Sequence, residues 1–237
     1  MASSLLAPAR VDYPSSDGKP VAETDHQRIP LTYAVDGLRH HFRNRADVYV
    51  SGNLFIYYQE GNPRAVVAPD VFVVIGAERA DRSIYLLWEE PKAPDFVLEI
   101  TSRSTRREDQ VSKRELYRSL GVREYWQFDP TNDYLDPPLQ GLELIDGEYR
   151  PLAARTSAVL GLEMRLTDRG LRFHDPRTGQ ELRSWTESEE ARLHAESRLA
   201  EETAAREREA AAREAAEARV AELERRLRQA GLRSQGI

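Results

Sequence analysis

The sequence predicts an α/β domain followed by one long charged helix, and three observations predict it. Short runs rich in β-branched and aromatic residues recur at 48–50, 54–58, 71–75, 95–101 and 124–128, the composition of strands on a pleated surface. Apolar residues at helical spacing precede the first run and separate the last two. From Glu187 to Ala230, Ala, Glu and Arg dominate and neither Gly nor Pro occurs.

Taken in order, residues 1–20 carry Pro8, Pro14, Ser15, Ser16, Gly18 and Pro20 and read as a flexible lead-in. Between Glu23 and Phe42, Ile29, Tyr33, Leu38 and Phe42 mark a helix, which Pro30 either starts or divides. Four strands follow, of which 54–58 is closed by Glu60-Gly61-Asn62-Pro63. A second helix is expected over about 105–120, with Thr105 and Glu108 as a capping box and Gly121 as its C-terminal stop. Glu124-Tyr125-Trp126-Gln127-Phe128 is a further strand, stopped by Asp129-Pro130, and weaker strand and turn signals run on to Trp185. The expected order is a helix, antiparallel strands, a helix and a strand. The domains are a lead-in over 1–20, a globular domain over 21–185 and a helix over 186–237.

That last helix would extend roughly 65 Å at 1.5 Å per residue. Glu202/Arg206, Glu209/Arg213 and Glu222/Arg226 stand in the favourable acid-first i,i+4 order. Val220, Leu223, Leu227 and Ala230 form an a/d seam, but tracing it back places Arg213, Glu209 and Arg206 in the same seam. A solvated helix with a short oligomerising tip, at most a weak coiled coil, is therefore expected.

The 237 residues, 40% hydrophobic and 31% charged, suffice for one core and an appendage. With no cysteine, disulfides and thiolate zinc sites are excluded, and the five histidines lack the clustered spacing of a structural zinc site. No apolar run reaches the roughly 20 residues of a membrane span. The start has no basic segment of a signal peptide. No membrane association and a cytoplasmic location are the expectation. A net charge of −6 means that nucleic acid would have to meet a local patch, for which Arg103, Arg106, Arg107, Arg114 and Arg118 are the candidates.

The chemistry-bearing residues lie on the strands and the second helix. In an extended 95–101, Asp95, Val97, Glu99 and Thr101 share one face, and Phe96, Leu98 and Ile100 form the apolar face turned to the core. Glu99, in mid-strand, requires a metal or a basic side chain as partner, because burying an unpaired carboxylate costs several kcal/mol. If 70–75 and 95–101 pair antiparallel, Asp70 comes to lie beside Glu99. Asp95, roughly 13 Å along the same strand, lies too far away to share an ion. Asp109 and Lys113 extend the apolar stripe of Leu116, Tyr117 and Leu120, which aims a lysine at the sheet. Two carboxylates with phosphate and water suit Mg²⁺ or Mn²⁺, and a lysine beside them suits phosphodiester cleavage.

The run Ala68-Pro-Asp-Val-Phe-Val-Val, then Ala93-Pro-Asp-Phe-Val-Leu-Glu-Ile-Thr-Ser, then Asp109, Lys113, Tyr117 and Gly121-Val-Arg-Glu-Tyr resembles the PD-(D/E)XK nuclease superfamily and, within it, the bacterial Uma-two family of restriction-endonuclease-like proteins. The resemblance covers about 21–185. It implies a restriction-endonuclease-like mixed sheet flanked by helices, with Asp70 and Glu99 as metal ligands. The superfamily's lysine commonly stands two residues after the acid, where this chain has Thr101. The resemblance implies that Lys113 substitutes for it, with Asp109 orienting it. It also suggests an acid from the first helix, for which Glu23 and Asp25 are the candidates, and Glu23 is carried as a further metal ligand.

The functional expectation is a Mg²⁺- or Mn²⁺-dependent endonuclease acting on DNA, self-associating through the nuclease domain and the C-terminal helix. The alternative is a catalytically inactive nuclease-fold module that binds DNA or protein through that helix.

Overall fold

The structure is a computed structural model and describes residues 11–16, 18, 24–102 and 108–234. Two units are distinguished, Met1–Trp185 and Thr186–Ile237.

The first unit opens with α1 (Asp25–His41), followed by β1 (Val48–Ser51), β2 (Ile56–Tyr57), β3 (Val66–Val67), β4 (Val71–Ile75), β5 (Tyr85–Leu86) and β6 (Phe96–Ile100). A π-helical turn, Glu108–Lys113, runs directly into α2 (Arg114–Ser119). Then come β7 (Glu124–Phe128), β8 (Leu139–Ile145), β9 (Glu148–Pro151), β10 (Thr156–Ser157), β11 (Leu162–Thr167), β12 (Gly170–Asp175) and β13 (Gln180–Glu181).

Pro30 neither starts nor divides α1, which runs through it as one element. The proline stands only six residues in, so it forfeits one hydrogen bond near the end of the helix rather than at its centre. The strand expected at 54–58 is reduced to two residues. The second helix is α-helical only from Arg114, and Thr105 of the expected capping box lies outside the described residues.

The main sheet has six strands in the order β1-β4-β6-β7-β8-β9. All neighbours are antiparallel except β6 and β7, which are parallel with Glu99 opposite Gln127. The sheet is thus mixed, where residue-by-residue reading gave an antiparallel set. A parallel neighbour cannot be reached by a hairpin, so the chain must cross a face of the sheet between β6 and β7. The helical segment 108–119 lies in that crossover, which delivers Lys113 and Tyr117 to the face carrying Glu99.

Both faces of the sheet are covered. Phe96, Leu98 and Ile100 pack with Tyr33, Ala34 and Leu38 of α1 and with Leu162, Met164, Leu171 and Phe173 of the four-stranded sheet β10-β11-β12-β13. Val97 packs on the opposite face with Tyr117, Val122 and Tyr125, and with Ile56, Val67 and Tyr85 of the small sheet β3-β2-β5. The face of β6 that carries Glu99 is therefore as dry as the face expected to meet the core.

Of the lead-in, Tyr13 packs its ring against Tyr57 and Trp88 at 5.0 and 5.1 Å, and Tyr57 donates to the Pro14 carbonyl at 2.6 Å. The second unit is formed by the 50-residue α3 (Trp185–Ser234), about 75 Å long at 1.5 Å per residue. Glu202–Arg206 and Glu222–Arg226 pair at 2.6 and 2.9 Å. Arg213 instead turns forward to Glu217 at 2.9 Å. It stands one turn from either acid, and exposed pairs worth a few tenths of a kcal/mol decide little between them. Val220, Leu223 and Leu227 are exposed.

Two glycines hold the site-bearing elements in place. A Cβ on Gly52 would stand 2.3 Å from the Asp70 carbonyl oxygen, so only glycine admits this approach of the two chains. Gly121 has φ +76, and the bonds Gly121 N–H to Arg118 O and Val122 N–H to Tyr117 O, at 3.1 and 3.0 Å, form the Schellman closure of α2. Gly52→Ala should cost about 1–3 kcal/mol through forced backbone movement, and Gly121→Ala about 1–2 kcal/mol through the left-handed backbone. Urea unfolding midpoints at unchanged m-value would measure both, and a Gly52→Ala protein of wild-type stability would refute the close approach.

Candidate functional site

Antiparallel pairing places Val71 opposite Leu98, and the next step of the ladder places Asp70 opposite Glu99. Both face the α2 side of the sheet. The Asp70 carboxylate accepts from the Ile100 N–H at 2.6 Å and lies within hydrogen-bonding reach of Glu99. Lys113 donates to Glu99 Oε2 at 2.9 Å, and the Tyr117 hydroxyl donates to Glu99 Oε1 at 2.6 Å. Glu99 is 1% exposed and Lys113 16%.

Sequence reasoning placed Asp70, Glu99 and Lys113, and the structure brings these three together. Of Asp109 the side chain lies outside the described residues, as do Glu23, Arg103, Arg106 and Arg107 entirely. The i,i+4 stagger expected for Asp109 and Lys113 is that of an α-helix, whereas the backbone takes the wider π form there. Asp25 pairs with Arg28 on an exposed turn at 2.8 Å. Arg118 is engaged by Glu115 at 2.6 Å and donates to the Gly147 carbonyl at 2.8 Å.

Asp95, set aside on distance, has a structural task. Its carboxylate accepts from the Ile75 N–H at 2.8 Å and from Lys92 at 2.6 Å, which ties β4 to the start of β6. Thr101, at the superfamily's lysine position, donates to the Tyr134 hydroxyl at 2.9 Å and brings no charge.

One residue of the site and one neighbour of it were not foreseen. Tyr117 read as a member of the apolar stripe, yet its ring packs in the core while its hydroxyl serves Glu99. The signal was its place four residues after Lys113, on the same side of the helix. Gln127, opposite Glu99 across the parallel pair, is buried and donates to the Tyr125 hydroxyl at 3.2 Å. Nothing in the sequence marked it, because the parallel register was not foreseen.

The electrostatics define what the site can take. Burial, and next the charge of Glu99, hold the Asp70 carboxyl well above its ordinary value of 3.8, and Lys113 offsets this only in part. Burial and Glu99 likewise raise the Tyr117 hydroxyl far above its ordinary range, which keeps it a donor. Asp70 and Glu99 set two carboxylates beside the Lys113 ammonium, and a proton or a cation between them relieves their mutual repulsion. The donors are hard oxygens. The set fits Mg²⁺ or Mn²⁺. Among the described residues no cluster of three or more His, Cys, Asp or Glu is built to hold a metal.

The family model of Uma2 (Uma-two), described as "Putative restriction endonuclease", matches residues 5–171. No curated protein is matched. Among solved structures, a "putative nuclease belonging to DUF820" from Anabaena variabilis is similar at a TM-score of 0.40 and 17% identity, over 59% of this chain and 73% of that one. No described helix is long and apolar enough to cross a membrane.

The raised Asp70 has a consequence for stability. The folded chain keeps a proton that the unfolded chain loses near 3.8, so unfolding releases it. The stabilisation is full below that value and is lost as pH rises through the folded range of Asp70. In chelator, the melting temperature of wild type relative to Asp70→Asn should therefore fall from pH 5 to 8. Parallel pH profiles for the two proteins would argue against a shared proton.

Proposed function

The chain belongs to the Uma2 family, and on that premise we propose that it is a metal-dependent endonuclease hydrolysing phosphodiester bonds in DNA. The observation that carries this reading is the buried Asp70–Glu99 pair, with Lys113 on the Glu99 carboxylate. Asp70 and Glu99 would hold Mg²⁺ or Mn²⁺, and Glu23 is a further candidate ligand. When bound, the ion supplies Lewis-acid polarisation of the phosphate and lowers the pKa of water.

The chain's own groups do the rest. The Ile100 N–H and the Tyr117 hydroxyl fix one oxygen of each carboxylate, so the donors are oriented before substrate arrives. Lys113 places a positive charge at the mouth of the pair, where it orients the attacking water and offsets charge developing on phosphorus-bound oxygens. Water adds to phosphorus and releases a proton to solvent, the bond to the leaving oxygen breaks, and that oxygen takes a proton from solvent. Asp109 is proposed to orient Lys113. The C-terminal helix would serve self-association or partner recruitment.

One observation favours a second reading. Thr101 stands in the usual lysine position and contacts Tyr134. A fold that kept its carboxylate pair but lost cleavage would act as a DNA- or protein-binding module, with α3 as its working part.

Plasmid and oligonucleotide cleavage in Mg²⁺ or Mn²⁺ separates the two. Glu99→Gln and Lys113→Ala should each slow cutting at least about 10²–10³-fold. Tyr117→Phe, which loses one charge-assisted hydrogen bond worth about 1.5–3 kcal/mol, should slow it about tenfold or more and raise the metal concentration required. Equal cutting by all preparations, or none by wild type alongside unaltered metal binding by Glu99→Gln, would sink the enzyme reading.

A further inference from the structure

At the end of β4 remote from Asp70, Arg39 from the last turn of α1 and Arg79 from the loop after β4 line a hollow of about 570 Å³, its open mouth included. Phe42, Val48 and Val50 form its apolar wall. The arginines at this end divide into two kinds. Arg45 is held by both oxygens of Asp47 at 2.7 Å, and Arg82 by both oxygens of Glu90 at 2.5 and 3.0 Å. Arg39 and Arg79 form no ion pair among the described residues. Arg39 Nε donates to the Val50 carbonyl at 3.1 Å, and Arg79 Nη1 to the Arg43 carbonyl at 3.0 Å.

Each of these guanidiniums spends one donor of five on a backbone tether. The tether fixes the direction of the fork, and the other N–H groups are available to a ligand. Asp81 also lines the hollow, so the lining carries two positive charges against one negative. Anchored, unneutralised guanidiniums facing one concavity match an anion with several oxygens in bidentate geometry. We propose that this hollow binds a phosphate group, either a backbone diester of nucleic acid or the phosphate of a small phosphorylated ligand.

The nucleic-acid source rests on the nuclease reading, and the phosphate site itself does not. Phe42, Val48 and Val50 of the hollow pack with the α1 side of the sheet, whereas Asp70 and Glu99 face α2. A diester seated here would hold nucleic acid away from the bond to be cut.

The test uses the full chain in chelator, so that cleavage plays no part. Anisotropy of a labelled 20-base-pair duplex over 50–300 mM salt is measured for wild type, for the double variant Arg39→Gln/Arg79→Gln, and for Arg39→Lys/Arg79→Lys. Thermal shift with inorganic phosphate is measured on the same proteins. The Gln variant should bind duplex about tenfold or more weakly, lower the salt slope by about two, and lose the phosphate-induced shift. The Lys variant, which keeps the charges and loses the forks, should keep the slope and lose part of the shift. An unchanged duplex affinity with a lost phosphate shift supports the site with a small phosphorylated ligand as its source. Should the Gln variant fold poorly, wild type and the Lys variant decide. A wild-type protein showing neither a salt-dependent duplex affinity nor a phosphate shift overturns the proposal, as does a folded Gln variant that matches wild type in both. Failure of the nuclease reading would appear instead at Glu99 and leave these results unchanged.

Discussion

A carboxylate in the middle of a sheet covered on both faces is the constraint on which this domain turns. Glu99 is 1% exposed, and left alone it would cost several kcal/mol. Its own strand offers no cation, and its neighbour Asp70 adds a second negative charge. Compensation has to arrive from outside the sheet, and the crossing helix brings it as the Lys113 ammonium and the Tyr117 hydroxyl. Removing the lysine from such a pair leaves a buried charge uncompensated, a loss of about 3–5 kcal/mol in comparable cases. The same group thus stabilises the fold and stands beside the proposed chemistry.

The rest of the architecture serves that meeting. The parallel β6–β7 pair obliges the chain to cross the sheet, and the Schellman closure at Gly121 returns it at once to β7. The π-helical turn ends at Lys113; π turns are rare and recur at functional sites. On the other side, the side-chain-free approach of Gly52 lets the chain pass against the backbone of Asp70. Asp95 fastens β4 to β6 by a hydrogen bond to Ile75, at the opposite end of the ladder from Asp70. Register, and with it the distance between the two site carboxylates, is therefore held at both ends.

Much of this was legible in the residues. The sequence left the antiparallel pairing of 70–75 with 95–101 as a condition, under which Asp70 lies beside Glu99, and the structure has that pairing. Lys113 was legible because a charge on the line of an apolar helix stripe is anomalous. Tyr117 was half hidden by its own chemistry: its place four residues after Lys113 was readable, but a ring that belongs to the core masks the use of its hydroxyl. Gln127 was hidden because its importance comes only from lying opposite Glu99 in a parallel pair.

The sequence by itself determined which segments extend and which coil, because periodicity and turn residues act over a few positions. It also determined that Glu99 needs a partner, because the penalty of burial is local to the residue. Tertiary structure alone decided that β7 runs parallel to β6, that both faces of β6 are dry, and that Arg39 and Arg79 share one hollow. These depend on residues 28 or more positions apart meeting in space, as Glu99 meets Gln127 and as Arg39 and Arg79 line one wall. No local pattern encodes such a meeting. It is set by the packing of the whole domain, which selects one register among the few that local propensity permits.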